Sequence, residues 1–279
     1  MDINKLQHIL VYTDFTEVGD NAVKHAAEMA RIFNKNLTIL HVIDDNTNTL
    51  FKKNTEEKVE QKLEEIAASV RQGCPFEVKT MYEEGCACKI INGTSETIDA
   101  VMVVLGVHEK NMIQYITPKY ALKKIAKSRI PYLLINKKVE VADLYSTVYL
   151  PLTYLKLSKE KSNWAGFFGR LNKSEIRVMI PASDDPGLSN NLIYTRKIFQ
   201  KFNINHTETK LDCKVNNIDS QSYKYSMLNK KGMVVIMTTA KPSLLEKLLG
   251  TRELHFLNRH TSLPVLAIAP RNDLYVPCV

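Results

Sequence analysis

Two short runs in the first half of the chain carry groups suited to holding a small ligand: Thr13-Asp14 and Gly106-Val107-His108-Glu109. Each follows an apolar run, His8-Ile9-Leu10-Val11-Tyr12 and Ala100-Val101-Met102-Val103-Val104-Leu105, that reads as a buried strand. A carboxylate at the tip of a strand is an acceptor suited to a ribose hydroxyl; the other role open to Asp14 is the N-cap of the next helix, and the two are compatible. Gly106 would let a ligand approach the backbone closely. His108 is either part of that site or a loop histidine. The remaining reactive types point nowhere so definite. Cys86-Ala87-Cys88 lacks both the spacing and the second ligand pair of a zinc site. The five cysteines (Cys74, Cys86, Cys88, Cys213, Cys278) are odd in number and scattered, which argues for reduced thiols. Ser183-Asp184-Asp185 reads as a turn and helix cap before Pro186. The sequence holds no paired carboxylates, Cys/His dyad or nucleophile elbow, so an enzyme is not expected.

The elements that must position these residues alternate. After the first strand, Ala22, Val23, Ala26, Ala27, Met29 and Ala30 recur at helical spacing up to Phe33-Asn34. Leu37 to Ile43 reads as a second strand, Glu56 to Val70 as a charged amphipathic helix, and Phe76 to Tyr82 as a third strand. Cys88 to Thr97 reads as a helix interrupted by Gly93. A helix from Pro118 to Ser128, with proline as its first residue, follows the fourth strand, and Tyr132-Leu133-Leu134-Ile135 is the fifth. A βαβαβαβαβ order requires a parallel sheet with helices on both faces.

The pattern then repeats. A shift of 139 residues places Ile9-Leu10-Val11 on Val148-Tyr149-Leu150, Ala26 on Ala165, and Leu37 and Ile39 on Ile176 and Val178. With a slightly shorter offset Val103-Val104-Leu105 falls on Val235-Ile236-Met237, and residues 265–269 repeat the fifth strand. The chain of 279 residues is therefore expected to form two α/β domains, 1–140 and 141–279, each a doubly wound parallel five-stranded sheet. In such a sheet ligands bind beyond the carboxyl ends of the strands, where the strand order reverses. For order 3-2-1-4-5 that point lies between strands 1 and 4, where Thr13-Asp14 and Gly106-His108 fall. Trp164 takes the place of His25 among Gly166, Phe167, Phe168 and Gly169, and reads as core packing or as an aromatic docking surface.

Charge divides the halves. Residues 1–140 hold 19 Lys and Arg against 19 Asp and Glu, and residues 141–279 hold 19 against 11, so the whole net charge of +8 lies in the second. That excess fits either an anionic partner, nucleic acid among them, or a solvated face; no run of five basic residues accompanies it. No apolar run reaches the ~18 residues of a membrane span, and the N-terminus does not read as a signal peptide, so no membrane partner and a cytoplasmic location are expected.

Ile9-Leu10-Val11-Tyr12-Thr13-Asp14, the alanine-spaced helix, Leu40-His41-Val42, Val104-Leu105-Gly106-Val107-His108 and the Ile130-Pro131 ending together resemble the universal stress protein family. The resemblance implies the order 3-2-1-4-5, an adenine nucleotide α-hydrolase-like fold, a stress-response or sensing role and, in some members, ATP binding. It also implies intramolecular pairing of the two domains along their last strands, Tyr132–Ile135 beside Val265–Ala269, and a homodimer as a further expectation. ATP-binding members carry Gly-x2-Gly-x9-Gly-Ser/Thr after strand 4, glycines that let backbone N–H groups close around phosphates. This chain keeps Gly106, but the second glycine slot is Glu109 and the last pair is Lys119-Tyr120 or Ile116-Thr117. A carboxylate ~4 Å from a phosphate charge costs about 1–4 kcal/mol. The second copy keeps Gly250-Thr251 but has Thr153 at the Asp14 position. One reading is therefore a non-catalytic module with ATP or AMP binding weak or lost. The alternative is a nucleotide-binding switch with one working site at Thr13, Asp14, Val42, Gly106 and His108.

Overall fold

In the computed structural model, residues 7–72, 74–108, 116–126, 128–136, 139–141, 143–229, 231–239, 251–259 and 262–270 are described. The chain forms two compact units, Met1–Lys124 with Ile130–Val139, and Ile125–Arg129 with Glu140–Val279. In the first, β1 (His8–Tyr12), β2 (Asn36–Ile43), β3 (Val78–Glu84), β4 (Ala100–Gly106) and β5 (Tyr132–Ile135) lie in the order β3-β2-β1-β4-β5. In the second, β6 (Thr147–Pro151), β7 (Glu175–Pro181), β8 (His206–Leu211), β9 (Met233–Met237) and β10 (Val265–Ile268) lie in the order β8-β7-β6-β9-β10. Both are 3-2-1-4-5, and the pairings seen within each are parallel. Each unit is thus a doubly wound α/β sheet.

Burial explains the strand sequences. β1, β2 and β5 are buried at every residue because helices cover both sheet faces, and so they read as unbroken apolar runs. The outer strands β3 and β8 have one free edge and carry charge along their exposed stretches. Register sets the crevice: Tyr12 lies opposite Leu40 on one side and Leu105 on the other, so β1 and β4 end level.

The helices of the first unit are α1 (Glu17–Phe33), α2 (Asp45–Phe51), α3 (Thr55–Arg71), α4 (Ala87–Thr97) and α5 (Pro118–Ile125). Three expectations are corrected, among them α5, which ends at Ile125 and not at Ser128, and one helix was not anticipated. α4 runs without a break through Gly93, whose absent side chain faces open space. The third strand is set two residues later than expected. α2 was not expected, because seven polar-rich residues carry no apolar period; Asp44 caps it by accepting from the Thr47 N–H at 3.0 Å. In the second unit α6 (Glu160–Leu171), α7 (Pro186–Lys201), α8 (Ile218–Asn229) and α9 (Arg252–Arg259) follow. Asp185 caps α7 ahead of Pro186, accepting from the Gly187 N–H at 2.7 Å. No helix among the described residues is long and apolar enough to cross a membrane.

α1 carries the first unit's one deeply buried helical histidine. His25 is fully buried, and its Nε2 donates to the Val139 carbonyl at 3.2 Å. Burial lowers its pKa to about 4, against the raising effects of the Val139 bond and Glu28. The folded chain therefore refuses a proton that the unfolded chain binds near its ordinary 6.5. Stability from this residue is present above the ordinary value and is lost as the pH falls toward 4. Urea unfolding at pH 7 and at pH 5 is expected to differ by about 2 kcal/mol on this account. His25→Gln, which keeps a donor for Val139, should make that dependence shallower; an unchanged slope would remove His25 as its source.

Candidate functional site

The β1–α1 turn is built from short polar side chains that bond their own backbone. Thr16 is the N-cap of α1 and accepts from the Gly19 N–H at 3.3 Å. The cap role therefore belongs to Thr16 and not to Asp14. Asp14 sits one step further out, with Oδ1 accepting from the Thr16 hydroxyl at 2.6 Å and from its N–H at 3.2 Å. Phe15 between them is held at φ 59°, a left-handed conformation that a bulky residue adopts only under constraint. Its ring stacks on His41 with centroids 4.0 Å apart, and Lys62 lies 5.0 Å over its centroid.

β4 supplies the opposite wall. His108, two residues beyond the strand, donates from Nε2 to Asp14 Oδ2 at 2.6 Å. Both side chains are nearly buried, 5% and 12% exposed. Burial alone would raise the Asp14 carboxyl; the bonds from His108 and Thr16 outweigh it and leave the group below its ordinary value. The carboxylate is thus charged, and each of its oxygens already has a donor.

β2 closes the floor. His41 Nδ1 donates to the Thr13 carbonyl at 2.8 Å, and Nε2 lies 3.0 Å from the Thr47 hydroxyl. Burial lowers the His41 pKa, and a neutral ring with its proton on Nδ1 fits both bonds. The Val42 side chain is fully buried, and its carbonyl oxygen lies 3.3 Å from Thr47 Oγ1. His41 and Thr47 are site residues that were not singled out. His41 was visible in the Leu40-His41-Val42 run; Thr47 lies on the unanticipated α2.

Thr13, Asp14 and His108 therefore meet as expected. Gly106 does something else. A Cβ there would come 2.8 Å from Val18 Cγ1 and 2.9 Å from the Val18 carbonyl oxygen. The glycine is required by α1 packed against β4, which accounts for it without a ligand. Glu109 and Gly250 lie outside the described residues. Thr251 caps α9, its hydroxyl accepting from the Leu254 N–H at 3.3 Å.

The second unit has a cleft of about 450 Å³ at the equivalent place, between the ends of β6 and β9. Thr153 lies on it, at the position of Asp14, with Thr238 and Thr239 beyond β9. Lys161 from α6 is 1% exposed and donates to the Pro151 carbonyl. Asp219, in the first turn of α8, has Oδ1 4.0 Å from the Lys161 nitrogen. Glu253, in the first turn of α9, is 9% exposed, and its Oε1 accepts from Thr239 at 3.1 Å. Burial pushes Lys161 down, against Asp219 and Glu253, and pushes Asp219 up, against Lys161 and Arg252. Asp219 Oδ1 and Glu253 Oε2 make no hydrogen bond among the described residues. None of these three charged residues was singled out, although a lysine stands where the repeat has the buried Ala22. Among the described residues no group of three or more His, Cys, Asp or Glu could hold a metal.

Residues 5–136 match the model of the Universal stress protein family. A universal stress protein of Archaeoglobus fulgidus DSM 4304 superposes with TM-score 0.71 at 14% identity, covering 95% of this chain and 98% of that one. A putative universal stress protein of Pseudomonas aeruginosa UCBPP-PA14 gives TM-score 0.62 at 14% identity, covering 95% and 94%. At these identities the two structures speak for the fold of both units. No curated protein matches the sequence.

The packing at Gly106 gives a direct check. Gly106→Ala must move α1 or β4, and is expected to destabilise the chain by about 1–3 kcal/mol in denaturant titration. A variant as stable as the parent would show that α1 has room to shift.

Proposed function

We propose that this chain, whose residues 5–136 match the model of the Universal stress protein family, is a non-catalytic stress-response or sensing protein whose first-unit crevice binds ATP or AMP weakly or not at all. The observation that carries this reading is the state of Asp14. Its Oδ2 is taken by His108 and its Oδ1 by Thr16, at 2.6 Å each. A ribose hydroxyl must share an oxygen with one of these donors or displace it, and displacing a charge-assisted hydrogen bond costs about 1.5–3 kcal/mol. That cost is about one to two powers of ten in affinity. In the sequence, Glu109 occupies the second glycine slot of the ATP-binding motif, a carboxylate where that pattern has none, and this supports the same reading.

A second reading is an ATP- or AMP-responsive switch that uses the same crevice. It is supported by Asp14 remaining charged at the strand tip and by the two walls lying close enough for one ligand to touch both. In that case the ligand would replace the His108 bond, and release of His108 would be the signal.

Calorimetric titration of the full chain with ATP and with AMP separates the two. The expectation is no binding tighter than about 100 µM. Tighter binding that Asp14→Ala abolishes would establish the switch instead. His108→Ala frees one carboxylate oxygen and is expected to strengthen any residual nucleotide binding about tenfold.

A further inference from the structure

Two features of the second unit lie outside both crevices: its excess of basic residues and its exposed apolar side chains. They share one surface. α6 and α7 lie side by side, with the Tyr194 hydroxyl donating to Asn163 Oδ1 at 3.1 Å and the Arg170 guanidinium 5.8 Å over the Phe202 ring. The buried residues Leu188, Asn191, Thr195 and Phe199 form the sheet side of α7, which puts Ile193 and Lys197 on the opposite, outer side. Among the described residues nine large apolar side chains are exposed, and five of them, Tyr154, Leu155, Leu171, Ile193 and Phe202, belong to these two helices or to the segments at their ends. That share on one surface is a patch, unlike the single exposures any protein shows. Asn191 holds Tyr154 and Leu155 against α7 by donating to the Leu155 carbonyl at 2.9 Å. The half-buried Trp164 and Phe167 meet edge to face on the flank of α6, with centroids 5.4 Å apart. Lys156, Lys159, Arg170, Lys173, Lys197 and Lys201 stand among these residues, whereas α6 carries one carboxylate, Glu160, and α7 none.

We propose that the α6–α7 face docks on an anionic lipid membrane, with the protein lying on the surface of one leaflet. Charge complementarity selects the partner: the whole net charge of +8 belongs to the second half of the chain, and this face concentrates cations with one carboxylate among them. The apolar side chains select lipid among polyanions. Lys159 lies 5.3 Å over the Tyr194 ring, and Lys201 5.5 Å over that of Phe202, so charge and apolar surface stand at one level. Acidic headgroups over hydrocarbon complement that arrangement: the cations meet the headgroups, and the side chains between them enter the headgroup and acyl boundary. A nucleic acid would meet the cations and stack on the rings, but it offers nothing apolar to Leu155, Leu171 and Ile193. The expectation of no membrane partner rested on the lack of a spanning run and of a signal peptide, and a surface contact needs neither. Trp164 then belongs to a docking surface, the second of the two roles its aromatic surroundings suggest. No residue of the first crevice takes part, so the inference stands apart from nucleotide binding.

The test is co-sedimentation of the full chain with vesicles, one set of phosphatidylcholine alone and one of phosphatidylcholine and phosphatidylglycerol in equal parts. The anionic vesicles are expected to bind the protein about tenfold more tightly than the neutral ones, and that binding should weaken about tenfold as salt rises from about 0.1 M to about 0.5 M. Trp164 is the chain's single tryptophan, so its emission should shift to the blue as anionic vesicles are added. Two pairs of substitutions at exposed positions separate charge from apolar contact. Lys197→Glu with Lys201→Glu, and Leu155→Ser with Ile193→Ser, are each expected to weaken binding to anionic vesicles about tenfold while the thermal midpoint confirms a folded chain. No binding to anionic vesicles overturns the proposal, as does equal binding to both sets. So does binding that the serine pair leaves unchanged, because charge alone then accounts for it. Retention of single-stranded RNA without retention of anionic vesicles assigns the face to nucleic acid and overturns the proposal as well. If either pair fails to fold, an unshifted Trp164 emission in the parent protein with anionic vesicles decides against it.

Discussion

The 2.6 Å hydrogen bond between His108 and Asp14 is the constraint around which the first crevice is arranged. It ties the loop after β4 to the loop after β1, across the point where the strand order reverses. It holds because the carboxylate is kept charged inside the protein, which needs donors on both oxygens to offset burial. Thr16 provides the second donor, and in doing so fixes the start of α1. The helix can lie that close only because Gly19 and Gly106 have no side chains. A Cβ at Gly19 would come 2.6 Å from Asp14 Oδ1, and one at Gly106 would meet Val18. The Asp14–His108 hydrogen bond, the cap and the two glycines are one packing solution.

The second crevice solves the same architectural problem with other chemistry. Thr153 stands at the strand tip and Thr238 follows β9, so the second unit has neither the carboxylate of Asp14 nor a glycine where the first unit has Gly106. Charge enters from the helices instead. Lys161 stands on α6 at the position where α1 has Ala22, and Asp219 Oδ1 lies 4.0 Å from its nitrogen, beyond hydrogen-bond distance. At 4.0 Å, Coulomb attraction persists but the directional bond is lost, and burial moves each group of the pair toward its neutral form. The first crevice sets a carboxylate at the strand tip between two donors, and the second draws its charge from the helices around it. Duplication of one fold has thus left two sites of different character, a distinction that lives in side chains and not in topology.

Much of this architecture was legible before any coordinates. Unbroken apolar runs such as Ile9-Leu10-Val11 and Val103-Val104-Leu105 can only be central strands covered on both faces, and their alternation with helices leaves few ways to wind the sheet. The 139-residue repeat extended that reading to the second half. The errors fall where local signals are weak or multiple. α2 has no apolar period, and Gly93 sits in a helix that tolerates it; Gly106 has a packing role against α1 that no local signal announces.

By itself the sequence determined the strands, the helices between them and their repetition, because hydrophobic periodicity acts over a few residues and is written in the chain directly; the strand order, and through it the location of both crevices, was what the family resemblance implied. It also placed Asp14 at a strand tip. The tertiary structure alone decided what Asp14 does there, since its partner lies 94 residues away and the pairing depends on the register of β1 against β4. The same holds for Lys161, Asp219 and Glu253. Each is an ordinary charged residue in its own helix, and only the packing of three helices around one strand end brings them together.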